Sequence, residues 1–202
     1  MSDWLAALEG AAPDPVAAFR GIDAGQFLSV RREVRRRAGA GTAALLIPQL
    51  GALADALTAA VELLPDWAFR EPGGEEDWNV AQAIGHDASA RAGLVLAASL
   101  AAAGRWPSAA PTVVPGVAGP ADADRAGLVR RIAQSQRVIE RAARAIEGHE
   151  LDPCPLDHPL VGRLRCGEWL LFAGVHDLMH LEQLHHLAER LASPVSPVVI
   201  AR

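Results

Sequence analysis

GTAALLIPQLGALADALTAAVELL, residues 41–64, is the longest apolar stretch of the chain, and its reading decides the fold. A bilayer-spanning helix needs about 20 predominantly apolar residues. This run is long enough but is interrupted by Pro48, Gln49 and Asp55. Leu45, Leu46, Leu50, Leu53, Leu57, Val61 and Leu64 recur at helical spacing. The stretch therefore reads as a buried amphipathic helix from about Thr42 to Leu64, with Pro48 in its first turns or kinking it.

Composition agrees with a helical, water-soluble reading. The chain has 202 residues, which suits one domain with a sizeable core. Half of the residues are hydrophobic but only 4% are aromatic. The apolar residues are mostly Ala, Leu and Val, which favours close helix packing over an aromatic-rich sandwich, so the expected class is all-α. A formal charge of −5 gives no general attraction to nucleic acid or to an anionic membrane, and neither is expected as a partner. The local exception, RREVRRR at Arg31–Arg37, reads as a solvated helix face. The start, MSDWLAALEG, lacks a positive n-region and carries Asp3 and Glu9, so the expected location is cytoplasmic. Cys154 and Cys166 read as separate thiols. All 19 basic residues are Arg, and there is no Tyr. A Schiff-base lysine, a Walker A lysine and a tyrosine acid are thereby excluded. GAGTAA, residues 39–44, mimics a dinucleotide loop, but no strand precedes it and a helix-start turn is the better reading.

Three further long helices are legible. Asn79 followed by Gln82 has the form of a capping box, so a second helix starts there and runs to about Ala103. Pro107, Pro111, Pro115 and Pro120 keep the segment from Gly104 to Ala121 out of helix. A third helix follows from Asp122 to about Glu147, with Leu128, Ile132, Ser135, Val138, Ile139, Ala142 and Ile146 on one side. A fourth runs from about Cys166 to Leu191. Four helices of similar length make a four-helix bundle over residues 41–192 the economical architecture. Residues 1–40 form a short helical N-terminal extension of the same domain, and residues 193–202 a C-terminal tail. The linker between the second and third helices, roughly fifteen residues at about 3.3 Å each, spans a twenty-residue helix of ~30 Å, so those two helices can run parallel.

The chemistry gathers in HDLMHLEQLHH, residues 176–186, which holds four of the chain's seven histidines. Residues i and i+4 of a helix lie one above the other, so His176 and His180 form a bidentate clamp and Gln183 continues their face. His185 and His186 point elsewhere and read as surface or interface residues. A catalytic metal site needs three protein ligands and an open position. His149 and His158 fall in or beside an irregular loop, whereas His86 lies inside the second helix, on the side expected to face the core. An unpartnered buried imidazole is costly, and a metal shared with the fourth helix would supply the partner. A hydrogen-bonded core histidine remains the alternative to a ligand at these positions.

Taken together these residues resemble a family, the DinB-like metalloenzymes. Trp78, Asn79, Val80, Gln82 and His86 resemble the start of that family's second helix. His158, Pro159, Leu160, Gly162, Leu164, Glu168 and Trp169 resemble its approach to the fourth, and His176, Asp177, His180 and Gln183 its HDxxHxxQ signature. The resemblance implies an up-down-down-up bundle and a metal site of His86, His176 and His180. The metals it suggests are zinc, nickel or iron. It further implies a small-molecule substrate, transfer of a low-molecular-weight thiol or hydrolysis as the activity, and a homodimer. Arg165 departs from the pattern, which has Thr or Ser at that place ahead of Glu168, so the capping box of the fourth helix is expected to be lost. Asp87, Asp177 and Glu182 follow the histidines closely and read either as bases and supporting groups or as structural salt-bridge partners. The competing function is a metal-free or vestigial bundle that binds a small molecule or a protein.

Overall fold

The computed structural model describes residues 3–22, 27–74 and 77–192, so the expected tail at 193–202 lies outside the described residues. Among the described residues the chain is all-helical, with isolated β-bridges but no strand. Three short helices, α1 (Asp3–Leu8), α2 (Pro13–Phe19) and α3 (Leu28–Arg37), precede four long ones. These are α4 (Ala43–Leu63), α5 (Val80–Ala102), α6 (Arg125–Ile146) and α7 (Cys166–Ala192), with a 3₁₀ turn at Asp66–Arg70 between α4 and α5.

Local chemistry sets these boundaries. Asn79 accepts from the Gln82 backbone N–H at 2.8 Å, and the Gln82 side chain accepts from the Asn79 N–H at 3.1 Å, a complete capping box at the head of α5. α6 begins at Arg125, three residues later than the spacing suggested, because Asp124 is the cap and accepts from Gly127 at 2.7 Å. At α7 half of the box survives. Arg165 supplies no capping oxygen, yet its backbone N–H still donates to Glu168 at 2.8 Å, and the Arg165 side chain is exposed.

α4 packs on α6 and α7, and α5 packs on the same two helices. The stripe Leu46, Leu50, Leu53, Leu57, Val61 and Leu64 is buried as read, whereas Leu45, one residue and about 100° off it, stays 64% exposed. By length and mean hydropathy α4 is the one described helix able to cross a membrane, but its buried face seats it in this core. α7 is buried on every side from Cys166 to Leu178. A helix enclosed all round needs small residues where neighbours come close. At Gly174 a Cβ would lie 2.9 Å from both Leu50 Cδ2 and Pro15 Cγ.

The N-terminal helices enclose α7 from the outside. α2 packs on α7, and Ala12, Val16, Ala18, Val30 and Val34 join the common core. The Arg31–Arg37 run is largely neutralised internally: Arg37 pairs with Asp14 at 2.9 Å and Arg36 with Glu33 at 2.7 Å, while Arg35 reaches Glu168 at 3.8 Å. Cys154 and Cys166 are buried free thiols. Burial pushes both up, Cys166 to about 12, so neither is a thiolate nucleophile at neutral pH.

Candidate metal centre

His86 comes from the second turn of α5, and His176 and His180 from the middle of α7. Across the packed α5–α7 face their ring nitrogens converge, with one candidate ligand atom from each within 4.8 Å of the others. Ring centroids are 4.7 Å apart for His176 and His180, 5.4 Å for His86 and His176, and 5.5 Å for His86 and His180. His176 and His180 are buried and His86 is half-buried, so the group has one open side. Trp78 packs on the His86 ring at 4.9 Å, which explains the spacing of eight residues between them.

Two of the three tautomers follow from the partners. His86 Nδ1 lies 2.8 Å from the Val117 carbonyl oxygen. A carbonyl can only accept, so Nδ1 carries the proton and the Nε2 lone pair is left for a ligand. His176 Nδ1 lies 3.0 Å from Asp87 Oδ1 and donates its proton to that carboxylate. Metal-ligating histidines characteristically donate their second ring N–H to a carboxylate or carbonyl in this way.

The polar groups beneath the histidines are fully buried. Asp87 and Asp177 are both 0% exposed, as is Arg91. Arg91 Nε lies 2.9 Å from both Asp177 oxygens, while Nη1 donates to Ser135 at 2.9 Å and Nη2 to the Leu50 carbonyl at 3.0 Å and to Gln136 at 3.2 Å. One guanidinium on α5 thus bonds to α4, α6 and α7. Burial by itself raises the Asp87 carboxyl. The hydrogen bond from His176 and the charges of His180, His176 and Arg91 outweigh it and hold Asp87 below its ordinary value. Burial raises Asp177 to about 7, with Asp87 adding to the rise and Arg91 opposing it. Asp87 Oδ2 has no hydrogen-bond partner among the described residues. A buried carboxylate oxygen left so is costly unless positive charge stands nearby.

Asp87, His176 and Asp177 also lie close enough to hold an ion. There, however, Asp177 already engages Arg91 with both oxygens, and a cation would compete with the guanidinium. The three imidazoles, two of them oriented by oxygen acceptors, are the better donor set.

The remaining histidines fall outside this group. His185 stacks on Trp4 of α1 at 4.8 Å, and His186 is exposed. His149 pairs with Asp152 at 2.8 Å. Glu182 is exposed. His158, a loop residue in the stretch that resembles the family's approach to the fourth helix, lies against Phe172 at 5.2 Å and joins His86 and His176 in the wall of one cavity. Its place in the loop before α7 gave no signal of this. Arg91 did leave one, since Asp87 and Arg91 are the only two charged residues of α5 and stand one turn apart.

A sequence profile of the DinB superfamily matches residues 49–184, a span that contains all three histidines and runs from the second turn of α4 to the last turns of α7. The chain belongs to the DinB superfamily. Its members are commonly metal-binding, and a histidine cluster able to hold a metal ion stands where the two signature helices meet. No curated protein and no solved structure matches the chain significantly.

Proposed function

We propose that this chain is a small metal-dependent enzyme in which His86, His176 and His180 hold a divalent zinc, nickel or iron ion and act on a small-molecule substrate, by thiol transfer or hydrolysis. The reading rests on the convergence of three imidazoles whose outward nitrogens, on His86 and His176, are pinned by oxygen acceptors. Bound there, the ion would keep its full charge beside neutral ligands and lower the pKa of a water or a low-molecular-weight thiol.

The chain's own residues supply orientation. Val117, through its carbonyl, and Asp87, through its carboxylate, fix which nitrogen of His86 and His176 faces inward. Arg91 and Asp177 hold α5 and α7 at the separation the histidines need. We further propose the up-down-down-up arrangement of a four-helix bundle spanning residues 41–192. It is supported by α4 and α5 sharing the neighbours α6 and α7, and by the long connection from α5 to α6. Residues 1–40 belong to the same domain, since α2 and α3 supply part of its core. A cytoplasmic homodimer without nucleic-acid or membrane partners completes the proposal.

Plasma mass spectrometry of untagged protein tests the metal directly. Near-stoichiometric zinc, nickel or iron is expected in the wild type and almost none in the double variant His176→Ala, His180→Ala, with helical circular dichroism retained in both. A wild type that stays metal-free after reconstitution with each ion would leave the binding-module reading in place of the enzyme.

A further inference from the structure

Beside the metal centre, between α5 and the Pro-rich linker, lies a cavity of about 440 Å³. His86 stands at one end, and the walls are apolar, including Ala90, Leu94, Leu100, Trp106 and Val114. A second cavity of about 230 Å³ carries His86, His158 and His176 and shares with the first His86, Ala90, Leu94, Val114 and Pro115. Together they run from the histidine cluster along α5. The volume is in the range of small-molecule sites, which lie at roughly 300–1,000 Å³.

The lining decides what such a site can take. No Arg, Asp or Glu side chain lines either cavity among the described residues. Apart from His86, the polar side-chain groups in the larger one are the Trp106 indole N–H and the Ser89 hydroxyl, which already donates to the Gly85 carbonyl at 2.9 Å. A carboxylate or phosphate placed along these walls would lose its hydration with no countercharge in return, whereas each CH₂ buried there gains by leaving water.

The linker is a fixed wall. Gly119 donates to the Gln82 carbonyl at 3.0 Å, and a Cβ on Gly119 would lie 2.6 Å from Gly85 Cα. Further back, Val114 donates to the Asp157 carbonyl at 2.9 Å, and Asp157 donates to that of Thr112 at 2.6 Å. The cavity is therefore a preformed feature of the fold.

We propose that the substrate carries an uncharged, apolar body that occupies this cavity, with its reacting group directed at His86 and His176. This rests on the metal-site reading for the position of the reacting end. The preference for an uncharged body is a property of the walls alone.

The test uses the neutral fluorophore N-phenyl-1-naphthylamine on the full chain, both zinc-loaded and chelator-treated. One saturable site per chain is expected in both forms. 1-Octanol should displace the dye at least tenfold more effectively than octanoate in the chelator-treated protein. Gly93 lines the cavity, and a Cβ there would meet nothing within 4 Å, so Gly93→Leu should fold and fill the space. At least a tenfold loss of dye affinity with unchanged zinc stoichiometry is expected. Ala97→Leu, one turn further on, provides the same block independently. Dye binding unaffected by both blocks, or equal displacement by octanoate and octanol, would overturn the proposal. Failure of the metal reading is separate, as absent zinc with intact, blockable dye binding.

Discussion

The two faces of α5 handle charge in opposite ways. Toward α4, α6 and α7 it presents Asp87 and Arg91, fully buried and bonded into all three neighbouring helices. Toward the linker it presents His86, Ala90, Gly93 and Ala97, which border open apolar space. The first face fixes the helices by directional bonds, each short and inaccessible to water. The second leaves room beside the same histidine. A site that holds an ion and admits a substrate needs both, and here consecutive residues, His86 and Asp87, mark the division.

The largest effect should come from breaking the polar face. Arg91→Ala would leave Asp177 buried without its partner, and about 3–5 kcal/mol of stability should be lost. Urea unfolding measures this directly. The paired replacement Arg91→Met, Asp177→Leu removes both charges and should recover most of the loss. If the single variant unfolds like the wild type, the guanidinium is not what binds the four helices together.

This division was only half legible in the sequence. Periodicity located the four long helices, because an apolar stripe at 3.6-residue spacing has one packing solution, and the i, i+4 pair of His176 and His180 followed from the same geometry. Asn79 and Gln82 announced the start of α5 through side-chain chemistry local to four residues. What pins His86 is a backbone carbonyl, that of Val117, and no residue type encodes a carbonyl. Likewise, the cavity is the gap between α5 and a proline-rich segment, so its shape depends on long-range bonds such as Gly119 to Gln82. The N-terminal segment looked like an appendage because Gly10, Pro13, Pro15 and Gly21 punctuate it. Its apolar residues instead cover the outside of α7, a face that looks surplus when α7 is read alone.

A smaller effect tests whether the polar face acts on the site or only on the fold. Asp87→Asn keeps shape and an acceptor for His176 but removes the charge beneath it. Metal affinity, measured by competition with a chromophoric chelator, should fall about 10–100-fold, while unfolding shifts far less than for Arg91→Ala. Unchanged affinity would reduce Asp87 to a packing role.

The smallest effect probes the dry face. His158 sits on the cavity wall against Phe172 and Trp169, and its Nδ1 accepts from the Leu160 N–H at 3.2 Å, so the neutral ring carries its proton on Nε2. Burial, aided by His176 and opposed by Asp157, lowers its pKa from 6.5 to about 4. The sign follows from which state takes the proton. Above pH 6.5 neither state binds it; between there and pH 4 the unfolded chain does and the folded one does not, so stability falls as pH falls through this window. With the ring partly exposed, the loss should be on the order of 1 kcal/mol after allowing for solvent screening. Urea unfolding of chelator-treated protein at pH 7, 6, 5 and 4 reads it out: the wild type should lose this increment relative to His158→Phe. Parallel curves for the two proteins would mean that water reaches the ring, and that the linker side of α5 is wetter than its walls imply.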